Sequence, residues 1–403
     1  MGIFLFFSNM RAPDFEHITA LRELVSFYSL TDTRAEQQTL GWADHQFRRL
    51  GIDYIKIPRA GKAGEYAAVV GKVEGIKGAD AAIISNGHVD VVPNGNGWTK
   101  AQGEMEGSIM YGRGTTDMKS AVISQIVAAK QARDSKGLPF DYYAMIVAGE
   151  EDTGWGSEQA VEASKSEWRR YRHLAANIAE PTSNVDGTTR VMHGNKGSFL
   201  IGIEAKGDTG HAATSAGKVN SIEVGADVII ALRSLRRRWE KKYKNSPLGL
   251  PVLTVTRNEG GVADNSLPPK DTVRYNGRFP AELKKAYPKD LDRVLKRFSG
   301  VELRIIYSIN PAFTPESNPW VQANLQAFGQ NKAEIAPWTT DGCFFSEYDD
   351  GKHLGIPLVI VGPGYLDQLH EVDEKCETNL IIPWANRFLE AGNVYINALK
   401  SAA

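Results

Sequence analysis

The sequence predicts an α/β protein: a larger domain on a mostly parallel sheet, interrupted by an inserted α+β domain of ferredoxin-like order. Three observations carry this. Five short apolar runs are continuous rather than alternating, as in strands covered on both faces. Amphipathic helical stretches lie between them. A middle segment reads β-α-β-β-α-β.

The apolar runs are Tyr66–Val73, Ala81–Ser85, Tyr142–Ala148, Leu174–Ala179 and Ile356–Val361. Met118–Arg133 places Val122, Ile123, Ile126 and Val127 on one helical face, and Phe15–Tyr28 and Pro383–Leu399 read similarly. In the middle, Ser198–Ala205, Pro251–Glu259, Thr272–Phe279 and the alternating Val301–Ile309 read as strands. Asn220–Lys244 and Ala281–Phe298 read as helices, with Pro288 marking a break in the second. The expected division is a discontinuous larger domain, residues 1–194 and 309–403, around an insert at 195–308.

Composition excludes several classes. The chain has 403 residues, 47 Lys plus Arg against 48 Asp plus Glu, and 42% hydrophobic residues. That is ordinary globular composition, with none of the basic excess of a nucleic-acid binder. The basic run Arg236-Arg237-Arg238 therefore reads as a solvated helix face. Cys343 and Cys376 are the only cysteines, so a disulfide scaffold and a Cys-ligated metal are excluded. The apolar run Gly2–Phe7 is too short to span a bilayer and lacks a signal-peptide pattern, which leaves Met10 as an alternative start and a cytoplasmic protein as the expectation.

The residues that could carry chemistry sit where the strands end. His88 and Asp90, two apart in extended backbone, face the same side. Asp117 follows a Gly-rich turn just before a helix, where it would also serve as a cap. Glu150-Glu151-Asp152 and Glu180 each close an apolar run, and His370 follows the last one. Singly, these read as turns, caps and satisfied polar groups. Together they can supply a ligand set of two His and three carboxylates beyond the carboxyl ends of strands, where ligands of open α/β sheets gather. Mixed N and O donors without thiolate suit Zn, Co or Mn, and a carboxylate shared between two ions is the natural bridge.

Gly87-His88-Val89-Asp90, Gly112-Arg113-Gly114-Thr115-Thr116-Asp117-Met118-Lys119, Glu150-Glu151, Glu180-Pro181-Thr182 and His370 resemble, in order and spacing, one family. It is the dinuclear-zinc metallopeptidase family of acetylornithine deacetylase, succinyl-diaminopimelate desuccinylase, aminoacylase and glutamate carboxypeptidase, and the likeness runs from about residue 15 to 400. It implies two divalent ions, Zn first, with His88 and Glu180 on one, Glu151 and His370 on the other, and Asp117 bridging. It implies that Asp90 orients His88 and that Glu150 is the general base acting on a bridging hydroxide. The insert would be a lid and dimerisation domain, with His211 at the oxyanion, and Asn265 and Arg278 binding substrate. A homodimer through that lid follows, with no nucleic acid or membrane partner.

The implied activity is hydrolysis of the amide of an N-acyl-amino acid, deacetylase- or desuccinylase-like. A carboxypeptidase or dipeptidase of the same family, and a non-catalytic binding protein on the same fold, are the alternatives. Relatives with aminopeptidase or dipeptidase activity generally carry Asp where this chain has Glu180. Lys100-Ala101-Gln102 stands in place of a usual Pro-Phe pair, the stretch after His211 lacks the usual Tyr-Pro, and Thr116 replaces a smaller residue. These departures leave the acyl group and the amino acid open.

Overall fold

The computed structural model describes residues 16–135, 137–184 and 188–402; the run Gly2–Phe7 and Met10 lie outside the described residues. The described residues form two compact units, one within 16–194, 313–336 and 340–402, the other of residues 195–312 and 337–339. No described helix is long and apolar enough to cross a membrane.

The first unit is built on a sheet whose strands include β1 (Asp53–Pro58), β2 (Tyr66–Val73), β3 (Ala81–His88), β4 (Asp141–Val147), β5 (His173–Ile178) and β6 (Leu358–Ile360), in spatial order β1-β2-β4-β3-β5-β6, followed by Met192–Asn195. The four strands β4, β3, β5 and β6 run parallel. All residues of β3 and β4 are buried, which is why they are apolar without alternation. Successive side chains of β4 serve opposite faces. Tyr142, Ala144 and Ile146 join the main core, while Tyr143 meets the Trp168 ring edge-on at 6.0 Å on the other side.

Two expectations need correcting. Tyr66–Val73 joins the sheet antiparallel to β4, not as part of the parallel set. A strand buried on both faces is apolar whichever way it runs, so the pattern carries no direction. The stretch Met118–Arg133 forms a helix only from Ser120 to Ser135, and every residue from Ser120 to Lys130 is buried rather than one face. The helix is packed against the sheet, against His17–Ser26 and against the C-terminal helix Ile381–Ala402 at once.

The second unit has four antiparallel strands, in spatial order Val252–Gly260, Lys270–Phe279, Gly197–Lys206, Val301–Ile309. With the helices Ser221–Lys242 and Tyr287–Leu295 this gives the β-α-β-β-α-β order. Its central strands alternate buried with half-buried residues. The buried set, including Phe199, Ile201, Tyr275 and Phe279, packs on Leu232, Trp239 and Leu291 of the two helices. Gly277 lies opposite Phe199, and a Cβ there would come within 2.2 Å of the ring. Asn220 caps the long helix, its Oδ1 accepting from the Ile222 amide at 3.0 Å. The stretch Ala281–Phe298 is divided just before Pro288, into a 3-10 turn Ala281–Leu283 and the helix Tyr287–Leu295, rather than being one helix broken within. Pro288 occupies the first turn of Tyr287–Leu295, where its missing N–H is no loss.

Candidate metal centre

The parallel register gathers the site. His88 pairs with Val147 on one side, and Asn86 pairs with Ile178 on the other, so the ends of β4, β3 and β5 lie in one row. Glu150 and Glu151 leave β4, and Glu180 leaves β5, each beside His88. Gly149 makes the turn at φ +74°, and a Cβ there would strike the Trp155 indole at 2.0 Å.

Asp117 does not sit as a helix cap. Its backbone is non-helical, at φ −117° and ψ 92°, and its carboxylate stands between two imidazoles. Oδ1 lies 3.2 Å from His88 Nε2, and Oδ2 lies 3.4 Å from His370 Nε2. His370 Nε2 is also 3.2 Å from Glu151 Oε2, and His88 Nε2 is 3.9 Å from Glu180 Oε1. Two donor groups result, His88 with Asp117 and Glu151, and His88 with Glu150 and Glu180, each with ligand atoms within 4.8 Å of one another.

The electrostatics fit a cationic guest. Burial, then the charges of its neighbours, raises Glu150, Glu151 and Glu180 above the ordinary carboxylate range. Burial would also raise Asp117, but the His370 and His88 contacts outweigh it and hold that carboxyl low. His370 is pushed up to about 10 by Asp117 and Glu151. Glu151 Oε1 is buried without a hydrogen-bond partner. Four acids, one of them with an orphaned carboxylate oxygen, and two imidazoles form a cluster whose charge divalent cations would satisfy.

The Asp90 carboxylate, expected to orient His88, is 3.5 Å from Nδ1, while its own backbone carbonyl is nearer at 3.0 Å. The carboxylate also accepts from Thr31 Oγ1 at 2.8 Å and from the amides of Glu150 and Glu151 at 3.1 and 3.0 Å. It therefore fixes the turn that carries both glutamates. Sequence reasoning missed this, and it missed Glu36, which accepts from the Gly149 amide at 2.9 Å. It also missed Ser157, which links Asn86 to the buried Asp341. Only contacts across long sequence separations reveal these residues. Cys343 is buried, and burial pushes its thiol up, as befits a packed side chain.

The candidates in the second unit are less enclosed. His211 and Asn265 are exposed, on neighbouring short segments where Gly210–His211 pairs with Ser266–Leu267. The Ala213 amide donates to His211 Nδ1 at 3.1 Å, which places the ring proton on Nε2. Arg278 lies in a strand opposite Ser198, and its Nη1 donates to the Ser198 hydroxyl.

The sequence profile of Peptidase family M20/M25/M40 matches residues 84–392. The acetylornithine deacetylase of Buchnera aphidicola subsp. Acyrthosiphon pisum (strain Tuc7) is 24% identical over 320 residues, covering 76% of this chain and 79% of its own. Two solved structures share the fold. The M20 family metallo-carboxypeptidase Sso-CP2 of Sulfolobus solfataricus has a TM-score of 0.74 at 17% identity, covering 94% of this chain and 99% of its own. The YXEP protein of Bacillus subtilis, a dinuclear metal-binding peptidase, has a TM-score of 0.67 at 15% identity, covering 94% and 98%.

Proposed function

The chain belongs to peptidase family M20/M25/M40, and from that premise we propose that it is a dinuclear-metal amidohydrolase cleaving the amide bond of an N-acyl-amino acid. The observation that carries this reading is the Asp117 carboxylate, with one oxygen turned to each imidazole, at 3.2 and 3.4 Å. His88 and Glu180 would hold one ion, Glu151 and His370 the other, and Asp117 both. Zn fits the N and O donors best, with Co or Mn as substitutes. When bound, the pair supplies Lewis acidity toward the scissile carbonyl and a water made acidic near neutral pH.

The chain's own residues do the rest. Glu150, whose backbone N–H donates to the Asp90 carboxylate, takes a proton from the attacking water and returns it to the leaving amine. His211, protonated on Nε2 by the geometry of its turn, is suited to donate to the developing oxyanion. Asn265 assists it, and the Arg278 guanidinium meets the substrate carboxylate. The second unit acts as a lid in a homodimer, with His211 serving the partner's site. Two free thiols and no described membrane-spanning helix accord with a cytoplasmic setting.

Chelation is the direct test. Metal-stripped protein should lose turnover, and Zn or Co should restore it; full turnover by the stripped protein would sink the reading. A panel of N-acyl-amino acids beside dipeptides and carboxypeptidase substrates separates the deacylase from the peptidase alternative, which the likeness in fold to Sso-CP2 keeps in play.

A further inference from the structure

Two of the most deeply buried charges in the molecule have no task in that mechanism. Arg113 is 1% exposed and Glu374 0%, and Arg113 Nη1 donates to Glu374 Oε2 at 2.7 Å. Burying an ion pair is poor stabilisation in itself, because desolvation offsets the attraction. What this pair holds is more telling. Glu374 Oε1 accepts from the amides of Thr116 and Asp117 at 2.8 and 3.0 Å, and Oε2 accepts from Gly114 at 3.1 Å. Arg113 Nη2 donates to the backbone carbonyl of His370 at 3.2 Å. His370 adopts φ +61°, a left-handed conformation that a non-glycine residue keeps only when its surroundings impose it.

The grip is itself braced. Gln102 Oε1 accepts from the Arg113 amide at 3.0 Å, and Nε2 donates to the Arg113 carbonyl at 2.9 Å. The Asp373 carboxylate, next to Glu374, accepts from the amides of Thr99 and Lys100 at 2.8 and 3.0 Å. The segment Lys100-Ala101-Gln102, where the sequence departs from its relatives, is thus built into the brace.

We propose that Arg113 and Glu374 are positioning residues of the metal centre, an ion pair that ties the Asp117 loop to the His370 loop and so sets the affinity for the second ion. The inference rests on the dinuclear reading above. Groups that orient ligands without touching the metal are typically worth about 10–100-fold in affinity.

Zinc titration of the metal-stripped full chain against a chelating indicator, with cobalt absorption spectra as a second readout, resolves the two binding steps. In Glu374→Gln the binding step that needs His370 should weaken about 10–100-fold, with an altered cobalt spectrum, and the other step, which also uses Asp117, should weaken less. Arg113→Lys should show a smaller loss in the same step. Arg170→Met, which breaks the ion pair to Asp141 at the opposite end of β4, serves as control. It should lower the melting temperature and leave both steps alone. A folded Glu374→Gln with wild-type affinities overturns the inference, and so does equal weakening by Arg170→Met. If Glu374→Gln does not fold, Arg113→Lys decides on the same criterion. A wild type that takes up only one ion overturns the dinuclear reading and this inference with it, a result distinct from two-ion binding that the variants leave untouched.

Discussion

The two units of this molecule treat most of their chemistry-bearing residues differently, His370 of the first being exposed like the candidates of the second. The strands β3 and β4 are buried along their whole length, and the candidate ligands His88, Asp117 and Glu180 that cluster at the strand ends are buried with them. The inserted four-stranded sheet alternates, and beside it the short pairing of Gly210–His211 with Ser266–Leu267 leaves His211 and the adjoining Asn265 exposed. A covered sheet can hold acids close together against their mutual repulsion, because packing fixes their positions. An open one displays donors for something that arrives. The first unit keeps a charge cluster largely out of water; on the proposed reading the second would meet the substrate.

This contrast can be broken by substitution. The largest effect is expected at Glu150, a proton carrier that is not a proposed ligand. Glu150→Gln should lower kcat about 10²–10⁴-fold while both ions remain, measured by turnover beside metal content. If Glu150→Gln loses metal while Glu151→Gln keeps it, the two roles are exchanged. Next is His211→Ala, with a loss of about 10²–10³-fold in kcat. Mixing sharpens it, because a heterodimer of His211→Ala with Glu150→Ala should regain one working site. Verified heterodimers that stay inactive would place His211 in its own chain's site, or in none. The smallest is Arg278→Lys, which keeps the charge and loses the planar fork. KM for free-carboxylate substrates should rise roughly tenfold, the worth of one charge-assisted hydrogen bond, with amidated substrates unaffected. Equal hydrolysis of free-acid and amidated substrates by the wild type would remove the case for this role.

How much of this was legible in the sequence depends on which rule placed each residue. His88, Glu150, Glu151 and Glu180 follow from strand endings, since an apolar run that stops at an acid or a histidine marks both the strand and its mouth. Asp117 was ambiguous, because a cap and a ligand share the same residue type before a helix. Only its non-helical backbone and the two imidazoles beside it separate them. The direction of β2 was hidden, as burial dictates composition and not polarity. So was the full enclosure of Ser120–Lys130, which depends on a helix encoded at the far end of the chain. Arg113 and Glu374 stood inside or beside the motifs, yet their pairing joins residues far apart in sequence, and no local pattern announces it.

The insertion also imposes an order of events in time. Strand β6, which completes the parallel set beside β5, is encoded after the whole second unit. The inserted sheet is nearly contiguous and can fold while the ribosome is still producing the segments that finish the first. At common rates of synthesis that interval lasts on the order of seconds. Four of the five proposed ligands, His88, Asp117, Glu151 and Glu180, emerge before the insert, and His370 comes after it. A nascent chain could thus capture one ion early, but the second has no complete set of donors until translation is nearly over. On the dinuclear reading, full metal loading would wait for the completion of the polypeptide, and a truncated product would be left half-charged and inert.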